Sequence, residues 1–140
     1  MIEQILIIVG AGIFGILGSA HLLFTFFTDK FLARKAEVVS EMKNTTPILT
    51  DQTTMWKAWI GFNASHSLGA IIFSLLYLIL SIFHMDLFFT TTTFIWLAVV
   101  NSISYLFLAK RYWFKDPFIG ILIATFVFFL AAILIEIKMV

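Results

Sequence analysis

The sequence lacks cysteine altogether and has few charged residues and only two prolines. Without cysteine there is no disulfide, no thiolate metal site, no cysteine nucleophile and no covalently attached haem. Charged residues make up 12% of the 140 positions, and the formal net charge is +1. A nucleic-acid-binding protein needs a basic surface, so the composition predicts no nucleic-acid partner.

Apolar residues take the place of the missing charge. They make up 61% of the chain, whereas a soluble domain has about 45–50%. Seventeen phenylalanines add to this excess, which the core of a domain of this length cannot bury. The composition therefore predicts a single integral membrane domain, residues 1–140, with the lipid bilayer as its first partner.

Four stretches reach the roughly 20 apolar residues that cross about 30 Å of hydrocarbon. They are residues 5–27, 58–83, 87–109 and 118–137. A segment in lipid must satisfy its own backbone hydrogen bonds, so each stretch is predicted to be helical. The predicted fold is an all-α four-helix transmembrane bundle, with Asp116 capping the fourth helix and Pro117 in its first turn.

The connection between the first two spans is predicted to hold a short cytoplasmic amphipathic helix, from Asp29 to Met42. Phe31, Val38 and Met42 share one face of that helix, with basic residues beside it. Such a helix either ties two spans together at the interface or senses lipids and partners.

Basic residues are distributed unevenly between the two sides of the predicted bundle. Eight lie in the connections 28–57 and 110–117, and one lies on the opposite side: Lys30, Arg34, Lys35, Lys43, Lys57, Lys110, Arg111 and Lys115 against Lys138. The positive-inside rule then places both connections in the cytoplasm and both termini outside. Glu136 and Lys138 are predicted to pair at the outer rim.

Polar residues are predicted to lie at one depth in the inner half of the membrane. The candidate ligand-binding residues are His21, Asn63, His66, Ser67, Asn101 and Tyr105. Intramembrane amide and ionisable groups are costly to expose to lipid, so they are expected to point into the bundle and find partners there.

Three interpretations of this layer stay open. It binds a small apolar or lipid-like ligand, with or without a reaction; or it only packs the helices of a structural or accessory subunit; or its two histidines hold a b-type haem or a metal. No carboxylate or thiolate accompanies the histidines, so no metal ligand is assigned and the cofactor is left open. The small residues Ala11, Gly15 and Ser19 allow close helix packing, and a homo-oligomer through that face is a further alternative.

Three stretches carry a resemblance to known proteins: FTFFTDKF (24–31), TTMWKAWIGFNASHSLGAI (53–71) and AKRYWFKDPFIGILIAT (109–125). They resemble an uncharacterised family of small bacterial four-span membrane proteins, and the WKAWIGFNASHSLG core is the most specific part. The resemblance implies a protein of the bacterial cytoplasmic (inner) membrane and carries no activity with it. In layout alone the chain is also similar to DoxX-like proteins.

Overall fold

The computed structural model describes residues 1–139, and over that range the chain is all-helical. Its four long helices are α1 (Ile2–Phe27), α3 (Met55–Phe83), α5 (Thr93–Tyr112) and α6 (Lys115–Met139), and two short ones are α2 (Ala36–Asn44) and α4 (Asp86–Thr90). All four long helices have the length and composition to cross a membrane. The 20 residues of α5, the shortest, extend about 30 Å. The predicted all-α, four-helix transmembrane fold is confirmed.

The third long helix begins later than predicted. Residues 86–90 form the separate helix α4, and α5 starts at Thr93 rather than at residue 87. Between them Thr91 is extended, with a φ of −150°, and its Oγ1 accepts a hydrogen bond from the Thr93 amide at 3.3 Å. Threonine hydroxyls compete with helical carbonyls for backbone partners, which accounts for the interruption.

The helix in the first connection also begins later than predicted, at Ala36 instead of Asp29. The Thr28 hydroxyl donates to the Phe24 carbonyl at 2.9 Å and accepts from the Lys30 amide at 3.3 Å. These local bonds turn the chain at the end of α1. The last long helix begins at Lys115, so Asp116 lies in its first turn and is not its cap.

The chain divides into two compact units. We call the first the core unit; it comprises Met1–Leu17 and the described residues from Ala70 onward. We call the second the polar unit; it comprises Gly18–Gly69. The long helices α1 and α3 each contribute to both units.

Aromatic rings fill the centre of the core unit. Phe14 packs edge-on against Phe73, with ring centroids 4.8 Å apart, and against Tyr105 at 5.2 Å. Phe128 is completely buried and contacts the rings of Phe73 and Tyr77, each at 5.8 Å. Edge-to-face contacts of this kind stabilise a core beyond simple area burial.

Small residues let the helices of the core unit approach closely. A Cβ added to Gly15 would lie 2.5 Å from the Ser74 hydroxyl oxygen, and Ala11 is completely buried. The predicted small-residue face of α1 is therefore used within this chain at those two positions. Gly12, which lies between these two residues in the sequence, has nothing within 4 Å of such a Cβ.

Polar contacts join the helix ends on one side of the core unit. The Lys138 ammonium lies 2.6 Å from a carboxylate oxygen of the buried Glu3, and the Gln4 amide donates to the Ser81 carbonyl at 2.8 Å. The predicted pairing of Lys138 with Glu136 is wrong, because Glu136 instead accepts a hydrogen bond from the Trp96 indole at 2.9 Å. The start of α1 and the end of α6 therefore lie together.

Candidate functional site

The polar unit brings together the end of α1 and the beginning of α3 through two side chains. His21 Nε2 lies 2.9 Å from Asn63 Oδ1, although 42 residues separate them in the sequence. The two residues are half-buried. This hydrogen bond joins two of the residues that the sequence predicted to share one layer.

The orientation of the Asn63 amide determines how His21 is protonated. Asn63 Nδ2 donates to the Trp59 carbonyl at 2.8 Å, and a carbonyl can only accept. The amide oxygen must therefore face His21, so His21 Nε2 carries the hydrogen. In the neutral imidazole this leaves Nδ1 of His21 as the lone-pair atom, which can accept a hydrogen bond or a proton.

Two more rings surround the His21 imidazole. The His66 ring packs edge-on against it, with centroids 5.5 Å apart and an angle of 70° between the planes. The Phe31 ring lies closer, at 4.4 Å. The two histidines that the sequence analysis singled out are thus direct neighbours, and Phe31 covers a further part of the His21 ring.

The hydroxyl groups of the polar unit bond to their own helices. Ser67 is completely buried, and its hydroxyl donates to the Asn63 carbonyl at 2.8 Å. The Thr25 hydroxyl donates in the same way to the His21 carbonyl at 2.8 Å. Both hydroxyls thus donate to backbone carbonyls one turn back along their own helices.

Asn101 and Tyr105, the remaining predicted site residues, belong to the core unit. The Tyr105 ring packs on Phe14 and on Trp113. The amide nitrogen of Asn101 is buried and makes no hydrogen bond to any residue from 1 to 139. Nearby on the same pair of helices, Thr125 donates to the Ser102 carbonyl at 3.2 Å. Asn101 thus keeps a hydrogen-bond donor that the described residues do not use.

The histidine pair does not have the arrangement that an axial haem ligand pair requires. Within the described part of the chain, no three His, Cys, Asp or Glu side chains are grouped to hold a metal ion. Two axial imidazoles point nitrogens at the iron from opposite faces of the macrocycle. Here the rings are in edge contact and His21 Nε2 is bound to Asn63, which leaves no space for a macrocycle between them.

Two residues that contact the cluster, Trp59 and Phe31, were not predicted from the sequence. Trp59 was not among the predicted site residues, yet its carbonyl orients Asn63 and its indole donates to the Phe31 carbonyl at 3.3 Å. The spacing of four between Trp59 and Asn63 is a visible signal for such a bond, since asparagine side chains often bond to backbone groups of the preceding turn. No pattern in the sequence pointed to the contact between Phe31 and His21.

No protein-family model, no curated protein and no solved structure matches this chain.

Proposed function

We propose that the protein resides in a bacterial cytoplasmic membrane, with both termini outside. The resemblance of the 53–71 segment supports the bacterial assignment. The excess of basic residues in the two connections supports the orientation. Within the core unit, the start of α1 and the end of α6 lie together, as an even number of spans requires. An alkaline phosphatase reporter fused behind α6 is expected to be active, and a fluorescent cytoplasmic reporter there would contradict the orientation.

Within that membrane, we propose that the cluster of His21, Asn63 and His66 binds a small lipid-like molecule. The observation that carries the proposal is the oriented imidazole pair: Asn63 holds the His21 ring, and the His66 ring packs against it. Two half-buried imidazoles in a membrane helix pair are costly to maintain, and such groups usually mark functional sites.

The chemistry of His21 indicates what the ligand must offer. Its Nδ1 accepts, so the head group of the ligand needs a hydroxyl or an amide hydrogen to donate. The Phe31 ring lies against the His21 ring and suits an apolar body of the ligand. A proton acceptor in this position could also serve acid–base chemistry, but no nucleophile or carboxylate accompanies it among the described residues of the cluster.

The alternative function is structural. Ser67, Thr25 and Asn63 all bond to backbone carbonyls within the polar unit, and the His21–Asn63 bond connects α1 with α3. A cluster with these bonds could serve only to hold two helices in register, as in an accessory subunit. Interhelical bonds of this kind contribute about 0.6–2 kcal/mol each.

Native mass spectrometry in mild detergent, after incubation with a bacterial lipid extract, separates the two functions. The wild-type chain is expected to keep one more added molecule per protein than His66→Ala does, whatever other lipid both of them carry. His66→Ala is expected to lose it while the helix content stays unchanged. The matched control is His84→Ala, which removes the third histidine, an exposed residue after α3, and is expected to keep the added mass.

The opposite result has an equally clear meaning. If the wild-type chain carries no more added mass than His66→Ala, and His66→Ala only lowers the unfolding temperature, the cluster packs helices and the ligand proposal is wrong. The same spectra give the number of copies per particle and so test the alternative of a homo-oligomer.

A further inference from the structure

A groove of about 430 Å³ lies in the first connection, beside α2. Its walls come from the segment before the helix and from one face of the helix: Leu32 and Arg34 from the segment, and Ala36, Val39, Ser40 and Lys43 from α2. The volume falls within the range of small-molecule sites, about 300–1,000 Å³.

Helical spacing explains why the groove is free of acidic side chains. The four α2 residues that line it follow the spacing i, i+3, i+4 and i+7, so they form one stripe. The two acidic residues of α2, Glu37 and Glu41, are one turn apart on a different stripe and do not line the groove. Arg34 and Lys43 are thus the charged groups at the groove walls.

This concentration of positive charge is local. Between residues 28 and 57 the chain has five basic and four acidic residues, so the connection as a whole is almost neutral. A nearly neutral segment gains little from general attraction to an anionic surface. The groove differs from its surroundings because it combines a guanidinium, an ammonium and the Ser40 hydroxyl with apolar side chains.

We propose that this groove binds the head group of an anionic membrane lipid. Arg34 and Lys43 would hold the phosphate and Ser40 would donate to it, while Leu32 and Val39 contact the glycerol and the first methylenes. A guanidinium and an ammonium are the groups that proteins use for phosphate recognition.

The position of the groove favours a lipid over a soluble anion. The connection joins two membrane-length helices, since α1 ends at Phe27 and α3 begins at Met55. The Lys43 ammonium lies 5.5 Å from the centre of the Trp56 ring at the start of α3, and tryptophans collect at the membrane interface. Ile48 and Leu49, in the loop after α2, are almost fully exposed, as expected of side chains that enter the head-group region.

The test compares lipid retention by the full-length protein in native mass spectrometry. The probes are phosphatidylglycerol and phosphatidylcholine with the same acyl chains. Phosphatidylglycerol is expected to bind better to the wild-type chain. The double variant Arg34→Gln/Lys43→Gln is expected to bind phosphatidylglycerol at least about tenfold more weakly, because it loses direct charge-assisted hydrogen bonds to the phosphate.

The matched control removes the same charge from the same region. Lys35→Gln/Lys57→Gln takes away two exposed lysines that do not line the groove. It is expected to change binding by less than about threefold, because neither lysine contacts the lipid and one bound lipid is not an extended anionic surface. The conservative pair Arg34→Lys/Lys43→Arg is expected to recover most of the binding. All four side chains are exposed, so circular dichroism should report unchanged helix content in every variant.

Three outcomes would overturn the proposal. Equal binding of the two lipids excludes a head-group site. Equal losses of phosphatidylglycerol binding in the groove variant and in the control would attribute the binding to general charge attraction. Displacement of the bound species by millimolar inorganic phosphate, without a preference for phosphatidylglycerol, assigns the groove to a soluble anion. The inference depends on the membrane location but not on the histidine cluster, because His66→Ala is expected to leave phosphatidylglycerol binding unchanged.

Discussion

The core unit and the polar unit are built from the same helices, α1 and α3, but they bury different kinds of side chain. The core unit buries aromatic and aliphatic residues such as Phe14, Ile95 and Phe128, and also four polar residues, Glu3, Ser74, Ser81 and Ser102. The polar unit buries no hydrophobic side chain. In the polar unit the buried side chains with polar groups are Thr25 and Ser67, and the residues that connect its helices are His21 and Asn63. One helix pair thus changes from apolar packing to hydrogen bonding along its length.

The difference follows from what lipid offers as a solvent. Apolar side chains gain little by leaving lipid for a protein core, so association of the helices depends on close packing and on hydrogen bonds. The core unit achieves close packing through its rings and through Gly15. The polar unit uses directed bonds, which also fix the orientation of an imidazole. This makes the polar unit the better place for a site.

The largest effect is expected from removing a ring of the core unit. Phe128→Ala leaves a cavity beside Phe73 and Tyr77 and is expected to lower the free energy of unfolding by about 3 kcal/mol, the lower end for buried phenylalanine. Denaturant titration in mixed micelles measures it. Phe126→Ala on the same helix removes a ring that is 65% exposed and is expected to change stability by less than about 0.5 kcal/mol. Equal losses in the two variants would contradict the assignment of the core.

A smaller effect is expected where α1 approaches α3 in the core unit. The added methyl of Gly15→Ala meets the Ser74 side chain and is expected to cost about 1–2 kcal/mol of unfolding free energy. Adding Ser74→Ala removes the nearest atom and should restore part of the loss. Gly12→Ala meets nothing within 4 Å and is expected to be neutral or stabilising by up to about 1 kcal/mol, since alanine favours helix. If Gly12→Ala lowered the free energy of unfolding, close helix packing would not be the cause of the loss in Gly15→Ala.

The smallest effect is expected in the polar unit. A double-mutant cycle of His21→Ala and Asn63→Ala is expected to give a coupling free energy of about 1 kcal/mol, typical of an interhelical hydrogen bond in a membrane protein. In the control cycle Ser65→Ala replaces Asn63→Ala. Its coupling free energy with His21→Ala should be close to zero, because the exposed Ser65 hydroxyl donates to the Phe62 carbonyl of its own helix. Nitrogen NMR of His21 should show the hydrogen on Nε2. A hydrogen on Nδ1 in the neutral ring would contradict the amide orientation.

Hydropathy predicted the number and approximate place of the long helices, because crossing a bilayer sets a minimum length that any sequence must display. It could not predict that Thr91 would interrupt the third apolar stretch, since this depends on a local hydroxyl bond to the Thr93 amide. The late start of α2 has the same kind of cause, in the bonds of Thr28.

The candidate site was predictable in part. The cost of polar groups in lipid selected His21, Asn63 and His66, and the structure brings these three together. That cost does not specify partners: Lys138 was predicted to pair with the nearby Glu136, whereas the structure pairs it with Glu3. Contacts between distant helix ends depend on how the helices are staggered, and no pattern within one segment records that.

The pairing of Glu3 with Lys138 also has a consequence for biosynthesis. A ribosome makes α1 long before α6, and a chain emerges at roughly 5–20 residues per second. During the translation of the intervening segments the Glu3 carboxylate therefore has the Met1 ammonium, 3.2 Å away, as a partner but not its lysine. A ribosome that stalls before α6 would leave a chain in which this acid lacks half of its ion pairs.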